Sequence, residues 1–158
     1  MKIVILGAGA VGSTLASLLC QENDLVVVDH NSSELHRLEE EADIKTLTGG
    51  ASYPNILVNA GIQEADMVVA VTGSDETNIV SCMIAKVLNK SIKTIARVRE
   101  ISYLKGKTKE AMDSGEIPVD IHISPEQLIT EHIQGLIEIP GSLQVMEFGQ
   151  GKLNLVAV

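Results

Sequence analysis

Short apolar runs alternate along the chain with segments whose apolar positions recur at helical spacing. Six of the runs are rich in Val, Ile and Leu. Three of them, at 2–6, 25–28 and 67–71, are almost continuously apolar, which is typical of strands buried on both faces. We expect these strands at residues 2–6, 25–28, 44–47, 67–71, 92–97 and 119–123. Helices are expected at 11–22, 31–41, 54–61, 75–88, 101–114 and 125–137. The alternation predicts an α/β fold built on a doubly wound, Rossmann-like parallel sheet.

The last part of the chain departs from this alternation. Two apolar runs at 143–148 and 153–158 are separated by Gly149-Gln150-Gly151-Lys152, which predicts a β-hairpin. Because the chain stops on an apolar strand, we expect it to be a fragment of a longer protein. The expected organisation is a Rossmann domain at 1–124, a helix with its linker at 125–141, and the start of a truncated second domain at 142–158.

A glycine-rich turn joins the first strand to the first helix. Its residues are Gly7, Ala8, Gly9, Ala10, Val11 and Gly12, with the spacing G-x-G-x-x-G. In this context Gly7 permits a tight turn, Gly9 lets backbone approach a pyrophosphate, and Gly12 allows close helix–strand packing. About 20 residues further on, Asp29 ends the second strand and can accept hydrogen bonds from ribose hydroxyls. No arginine follows Asp29 directly, so NAD(H) or an adenine nucleotide is favoured over NADP(H).

Further candidate ligand contacts follow the fourth and fifth strands, where the strand order of a doubly wound sheet reverses. Thr72 and Gly73 are expected to contact a ligand there, while Ser74 caps the next helix. Arg97 ends the fifth strand and Arg99 follows it, and two interpretations stay open. A guanidinium can hold a phosphate through two parallel hydrogen bonds, or it can form a structural salt bridge. The salt-bridge partner would be Asp75, Glu76 or Glu100.

Composition and charge narrow the function further. The net charge of −9 argues against binding to nucleic acid or to anionic lipid, and the 2% aromatic content argues against base-stacking platforms. No apolar run is long enough to insert directly into a membrane. Two cysteines are too few for a zinc site, and no histidine spacing suggests another metal. Without a catalytic acid–base pair beyond the sixth strand, we expect a binding module and not an enzyme.

Six segments of the chain together resemble the TrkA family, the peripheral nucleotide-binding subunits of bacterial Trk potassium uptake systems, and their RCK (or KTN) domain. These segments are Met1–Gly12, Val26–His30, Ala65–Asn78, Ile95–Arg99, Pro125–Leu128 and Ile139–Val145. The resemblance implies a regulatory subunit that binds NAD(H), ATP, ADP or AMP in one site and gates a potassium channel or transporter. It also implies no enzymatic activity.

The resemblance extends to individual residues and to partners. It implies that the turn at 7–12 holds the phosphates, Asp29 the ribose, Thr72 and Gly73 the nucleoside side, and Arg97 a phosphate. The helix at 125–137 would be a crossover helix that reaches a partner subunit. The family likeness implies a homodimer or tetramer formed through the RCK domain. The assembly would be cytoplasmic and peripheral, at the inner face of the membrane beneath the potassium-translocating subunit.

Two other functions remain open at this point. The chain could be the cofactor domain of a truncated NAD-dependent oxidoreductase, because the same turn binds the cofactor in dehydrogenases. It could also be a dimerisation scaffold whose site no longer binds a ligand. Nucleotide binding distinguishes the scaffold from the other two, and hydride transfer distinguishes the oxidoreductase from the regulator.

Overall fold

The computed structural model describes residues 1–138, 144–148 and 153–157, which form two compact units at 1–123 and 124–158. The first unit contains a six-stranded sheet in the order β3-β2-β1-β4-β5-β6, with every neighbouring pair parallel. Its strands are β1 (Lys2–Leu6), β2 (Asp24–Asp29), β3 (Lys45–Thr48), β4 (Met67–Ala70), β5 (Lys93–Arg97) and β6 (Ile121–Ile123). The predicted Rossmann-like fold is confirmed.

Helices and short 3₁₀ turns connect the strands. The helices of the first unit are α1 (Ala10–Leu19), α2 (Ser32–Glu41), α3 (Pro54–Asn59), α4 (Asp75–Leu88) and α5 (Gly106–Asp113), with 3₁₀ turns at Ile62–Glu64 and Ile101–Leu104. Strand–helix–strand connections between parallel neighbours are right-handed in nearly all proteins, which places helices on both faces of such a sheet. The carboxyl ends of β1 and β4 therefore meet where the chain reverses its direction of winding.

The core consists of two apolar layers, one on each face of the sheet. Side chains of a strand alternate between faces, so Val4 and Leu6 of β1 join one cluster while Ile3 and Ile5 join the other. All four are buried. Consecutive aliphatic residues are thus required, and each fully buried side chain of this kind stabilises the fold by about 1.5–3 kcal/mol.

The structure corrects several predicted boundaries. The helix expected at 101–114 is broken at Lys105, which has an extended backbone, and Gly106, whose φ is 55°. The sixth strand begins at Ile121, later than expected. The reason is that the Asp120 side chain accepts the Thr94 N–H at 2.8 Å, in place of a main-chain partner. The first helix ends at Leu19, three residues earlier than expected.

The second unit holds α6 (Pro125–Glu138) and two strands, β7 (Gln144–Phe148) and β8 (Leu153–Ala157). The strands pair antiparallel, with Gln144 opposite Ala157, as the predicted hairpin requires. Residues 139–143, 149–152 and 158 lie outside the described residues, and so does the predicted turn of the hairpin. Four apolar side chains of α6 are exposed: Leu128, Ile129, Ile133 and Ile137.

Candidate functional site

A cleft of about 820 Å³ lies at the carboxyl ends of the central strands. Small-molecule and cofactor sites occupy about 300–1,000 Å³ and favour this edge of an α/β sheet. The lining residues are Gly7, Gly9, Ala10, Val11, Val28, Asp29, His30, Asn31, Glu34, Gly50, Ala51, Ser52, Tyr53, Val71, Thr72, Gly73, Ser74, Thr77 and Arg97. The turn after β1 therefore shares one cavity with the ends of β2, β4 and β5.

The glycine turn is built so that only one of its three glycines faces open space. Gly7 has a φ of 109°, and its N–H donates to the Val28 carbonyl at 2.8 Å. A Cβ on Gly12 would lie 1.8 Å from the Gly7 carbonyl oxygen, so α1 can approach the turn only without a side chain there. A Cβ on Gly9 would meet no atom within 4 Å. The space above Gly9 is therefore available to a ligand.

Two backbone amides hold the carboxylate of Asp29 in place. One carboxylate oxygen accepts the Ala8 N–H at 2.7 Å, and the other accepts the Asn31 N–H at 2.8 Å. The second oxygen also lies 3.1 Å from His30 Nδ1. A carboxylate oxygen can accept more than one hydrogen bond, so ribose hydroxyls can still be bound. At the start of α2, Asn31 and Glu34 have the spacing of a capping box, but its reciprocal pair of hydrogen bonds does not form. The amide of its first residue donates to Asp29, not to Glu34.

Hydrogen bonds within the protein engage both the backbone and the hydroxyl of Thr72. Its hydroxyl donates to Asn78 Oδ1 at 2.7 Å, and its N–H donates to the same oxygen at 2.9 Å. The hydroxyl also receives a hydrogen bond from the Ser74 N–H at 3.3 Å. Because a hydroxyl has a single proton, Thr72 can offer a ligand only a lone pair. Ser74 caps α4 as expected, by accepting the Thr77 N–H.

The two arginines that the sequence left undecided have different positions. Arg99 forms the salt bridge, with its Nε 3.3 Å from Asp75 Oδ1, and it also donates to the Gly73 carbonyl. Arg97 lines the cleft. Burial acts to raise the pKa of Asp75, but hydrogen bonds from the Glu100 and Arg99 amides and from the Arg99 guanidinium outweigh it. The pKa of Asp75 is therefore held below its usual value.

The cleft brings together eight of the ten residues predicted from the sequence. The other two, Ala8 and Gly12, are buried behind the turn. Lining residues that the sequence reasoning missed include His30, Asn31, Glu34, Ser52, Tyr53 and Thr77. Several of them follow β2 or β3. The rule that ligands bind at the carboxyl ends of strands could have found them. Gly50 leaves room for the Tyr53 ring, which a Cβ would approach to 3.0 Å.

The described residues contain neither a metal-binding cluster nor a membrane-spanning helix. Across residues 1–138 and the two strands of the hairpin, no cluster of His, Cys, Asp or Glu side chains could hold a metal ion. No helix in that part of the chain has the length and apolar character needed to span a bilayer.

The strand order and the glycine turn define a Rossmann-type α/β domain. Comparison with known families makes this more specific, because residues 3–125 match the TrkA-N domain. The chain belongs to the TrkA-N domain family.

Curated relatives match over the full length of the chain. It is 49% identical to the Trk system potassium uptake protein TrkA of Halomonas elongata and 48% identical to that of Vibrio alginolyticus. The alignments cover 100% of this chain but 34% of each relative. The chain thus spans about a third of the length of these proteins.

Solved structures share the fold at low identity. The TrkA-N domain of the inner membrane protein YbaL from Escherichia coli superposes with a TM-score of 0.72 at 20% identity, over 86% of this chain and 96% of that one. The GsuK channel bound to NAD has a TM-score of 0.68 at 22% identity, over 91% and 27%. The Kef C-terminal domain of Shewanella denitrificans in its AMP-bound form has a TM-score of 0.68 at 18% identity, over 90% and 84%.

Proposed function

We propose that the chain is the nucleotide-sensing domain of a regulatory subunit of a potassium uptake system. The cleft is the observation that carries the proposal, because one cavity contains both the open space above Gly9 and the side chain of Asp29. Relatives with this sequence along their first third are named Trk potassium uptake proteins. Nucleotide-bound members of the same fold support a nucleotide as the ligand.

The residues of the cleft fit NAD(H) and the adenine nucleotides ATP, ADP and AMP. A phosphate above Gly9 would receive hydrogen bonds from backbone N–H groups at the start of α1 and would lie at the positive end of the helix dipole. Asp29 would bind the ribose, and Arg97 would contact a phosphate from the opposite wall. Glu34 is a second acid in the lining, so a 2′-phosphate on the ribose would meet two negative charges.

We propose that this domain acts by binding and not by catalysis, and that it works within an assembly. Exposed apolar residues on α6 support packing against a second copy, as a crossover helix in a homodimer or tetramer would. The proposed boundaries remain 1–124 for the Rossmann domain, 125–141 for the crossover helix and linker, and 142–158 for the start of a second domain. The proposed location is cytoplasmic, beneath a Trk-type membrane subunit that translocates potassium.

Regulation would follow from differential affinity. A nucleotide can change the arrangement of paired domains only if it binds one arrangement more tightly than the other. The membrane subunit would then respond to that change.

A thermal-shift titration with NAD, NADH, NADPH, ATP, ADP and AMP tests the proposal. A ligand that binds only the folded chain raises its stability by RT ln(1 + [L]/Kd). We expect shifts with NAD(H) and the adenine nucleotides and a much smaller one with NADPH. No shift with any of the six contradicts a nucleotide site, and equal shifts with NADH and NADPH contradict the assignment of the ribose to Asp29. Hydride transfer by the full-length protein would support the oxidoreductase instead.

A pair of variants on one strand makes the test residue-specific. Arg97→Ala removes a positive charge from the cleft end of β5, and Lys93→Ala removes one from the opposite end, outside the cleft. A hydrogen bond to a charged group contributes about 1.5–3 kcal/mol, so Arg97→Ala is expected to weaken ADP binding about tenfold or more. Lys93→Ala should leave it unchanged. Equal losses of ADP affinity in the two variants would indicate that binding depends on the overall charge and not on Arg97 itself.

A further inference from the structure

Asn78 lies in α4, is completely buried, and does not line the cleft. All four hydrogen-bonding positions of its amide are used. Oδ1 accepts the Thr72 N–H at 2.9 Å and the Thr72 hydroxyl at 2.7 Å. Nδ2 donates to the Thr72 carbonyl at 3.3 Å and to the Arg97 carbonyl at 2.9 Å. The amide of Asn78 therefore makes every hydrogen bond that it can make, at a position that solvent does not reach.

Beyond the end of the pairing between β4 and β5, the hydrogen bonds of Asn78 take the place of main-chain hydrogen bonds. The pairing between β4 and β5 runs from Met67 opposite Lys93 to Ala70 opposite Ala96, and ends there. Thr72 and Arg97 both lie beyond the last pair, where the backbones separate to form two walls of the cleft. Past that point, the Asn78 side chain bonds to Thr72 and to Arg97 themselves, and Arg99 adds a more exposed link to Gly73 and Asp75.

We propose that Asn78 is a positioning residue for nucleotide recognition: it fixes the separation between the Thr72-Gly73 wall and the Arg97 wall. The inference rests on the proposed nucleotide site and adds a residue that does not itself touch the ligand. With the walls held in place before binding, little conformational freedom is lost when a phosphate is bound between Arg97 and the glycine turn.

The chemistry of the side chain is specific to an amide. Alanine would leave the Thr72 N–H and the Arg97 carbonyl without their partner in a buried place, which costs free energy and lets the walls move. Aspartate keeps the acceptor but cannot donate while ionised, so its carboxylate would face two carbonyl oxygens. That environment raises the pKa of a carboxyl group. When protonated, the Asn78→Asp side chain regains one donor.

The test compares Asn78→Ala with a control that removes a side-chain contact to the other end of β5. Asp120→Ala removes a bridge between a side chain and the backbone at the other end of β5, where the carboxylate accepts the Thr94 N–H and pairs with Lys86. Urea denaturation gives the stability of each variant, and calorimetric titration with ADP and with adenosine gives affinities at a temperature where both variants are folded. We expect both variants to be destabilised but only Asn78→Ala to bind ADP at least tenfold more weakly. The affinity for adenosine, which lacks the phosphates, should fall less than the affinity for ADP.

Asn78→Asp is the second variant, and it is used alone if Asn78→Ala does not fold. Its ADP affinity relative to the unaltered chain at the same pH should recover as the pH is lowered from 8 to 6, because the carboxyl group regains a donor. An Asn78→Ala affinity within twofold of the unaltered chain overturns the inference. So does an equal loss in Asp120→Ala, or an Asn78→Asp affinity that stays within twofold of the unaltered chain throughout this pH range. Failure of the unaltered chain to bind ADP would instead overturn the proposed function.

Discussion

Gly12→Ala is the substitution for which the structure makes the sharpest prediction. Gly12 lies in the first turn of α1, where the helix passes over the carbonyl of Gly7. The added Cβ would be 1.8 Å from that oxygen. Contacts of this type do not fall below about 3 Å in close-packed interiors, so the helix and the turn would have to separate by more than about 1 Å.

Two effects oppose each other, and their magnitudes decide the sign. Alanine is a better helix former than glycine by about 1 kcal/mol. Forcing an extra carbon into a packed site costs about 1–3 kcal/mol, and more when the obstacle is rigid. Here the obstacle is backbone, anchored by the hydrogen bond from the Gly7 N–H to Val28 and by a positive φ. We therefore expect the overpacking cost to lie near the upper end of its range, which leaves a net loss of stability of about 2 kcal/mol or more.

Thermal denaturation without nucleotide measures this loss. For a chain of this size, 2 kcal/mol lowers Tm by about 4–8 °C. The matched control is Gly9→Ala, whose Cβ meets nothing within 4 Å and whose φ of −66° suits any residue. The control should keep its Tm but lose nucleotide affinity, because its methyl group would occupy the proposed phosphate position. A Gly12→Ala chain as stable as the original would refute the packing argument, and undiminished binding by Gly9→Ala would refute the phosphate position.

Three further predictions concern side chains outside that turn. Asp29→Ala should lower the free energy of unfolding in urea by about 1–3 kcal/mol even without ligand, because the buried Ala8 N–H loses its acceptor; unchanged stability would contradict this. The pKa of Asp75 is lowered in the folded chain. The ionised carboxylate therefore stabilises the fold fully above the unfolded-state pKa of about 3.9, and this contribution is lost as the pH falls through the folded-state pKa. Asp75→Asn should therefore reduce the acid dependence of Tm below about pH 4, and an unchanged profile would argue against it. Burial, with a smaller contribution from a nearby carboxylate, raises the pKa of Cys82 to about 12. An aromatic disulfide reagent at neutral pH should thus modify the half-buried Cys20 in the native chain and Cys82 only after unfolding.

The sheet could be predicted from the sequence because its signal is local. Consecutive aliphatic residues such as those at 2–6 mean burial on both faces, and the glycine spacing at 7–12 marks the turn that follows. The broken helix at 101–114 was less predictable. Its polar composition gives weak periodicity, and a glycine flanked by lysines does not reveal from sequence alone that it adopts a positive φ.

The site was predictable in its outline but not in its hydrogen bonds. The sequence pattern assigns Asp29 to a ribose, and nothing in that pattern shows that its carboxylate also receives two backbone amides. The alternative roles of Arg97 and Arg99 depend on where β5 ends and on the reach of Asp75, which only the three-dimensional arrangement settles. Asn78 appeared in the sequence only as part of a longer family motif, because its partners are 6 and 19 residues away along the chain.

The Tyr53 ring in the wall of the cleft provides an intrinsic fluorescence signal for ligand binding. The sequence contains no tryptophan and two tyrosines, so tyrosine dominates its ultraviolet emission. Tyr103 packs against the core, whereas Tyr53 is 61% exposed beside the proposed ligand position. Quenching by a soluble agent should therefore act mainly on Tyr53, and a ligand that covers the ring should protect it. Occupancy of the cleft can then be followed by fluorescence without attaching a dye.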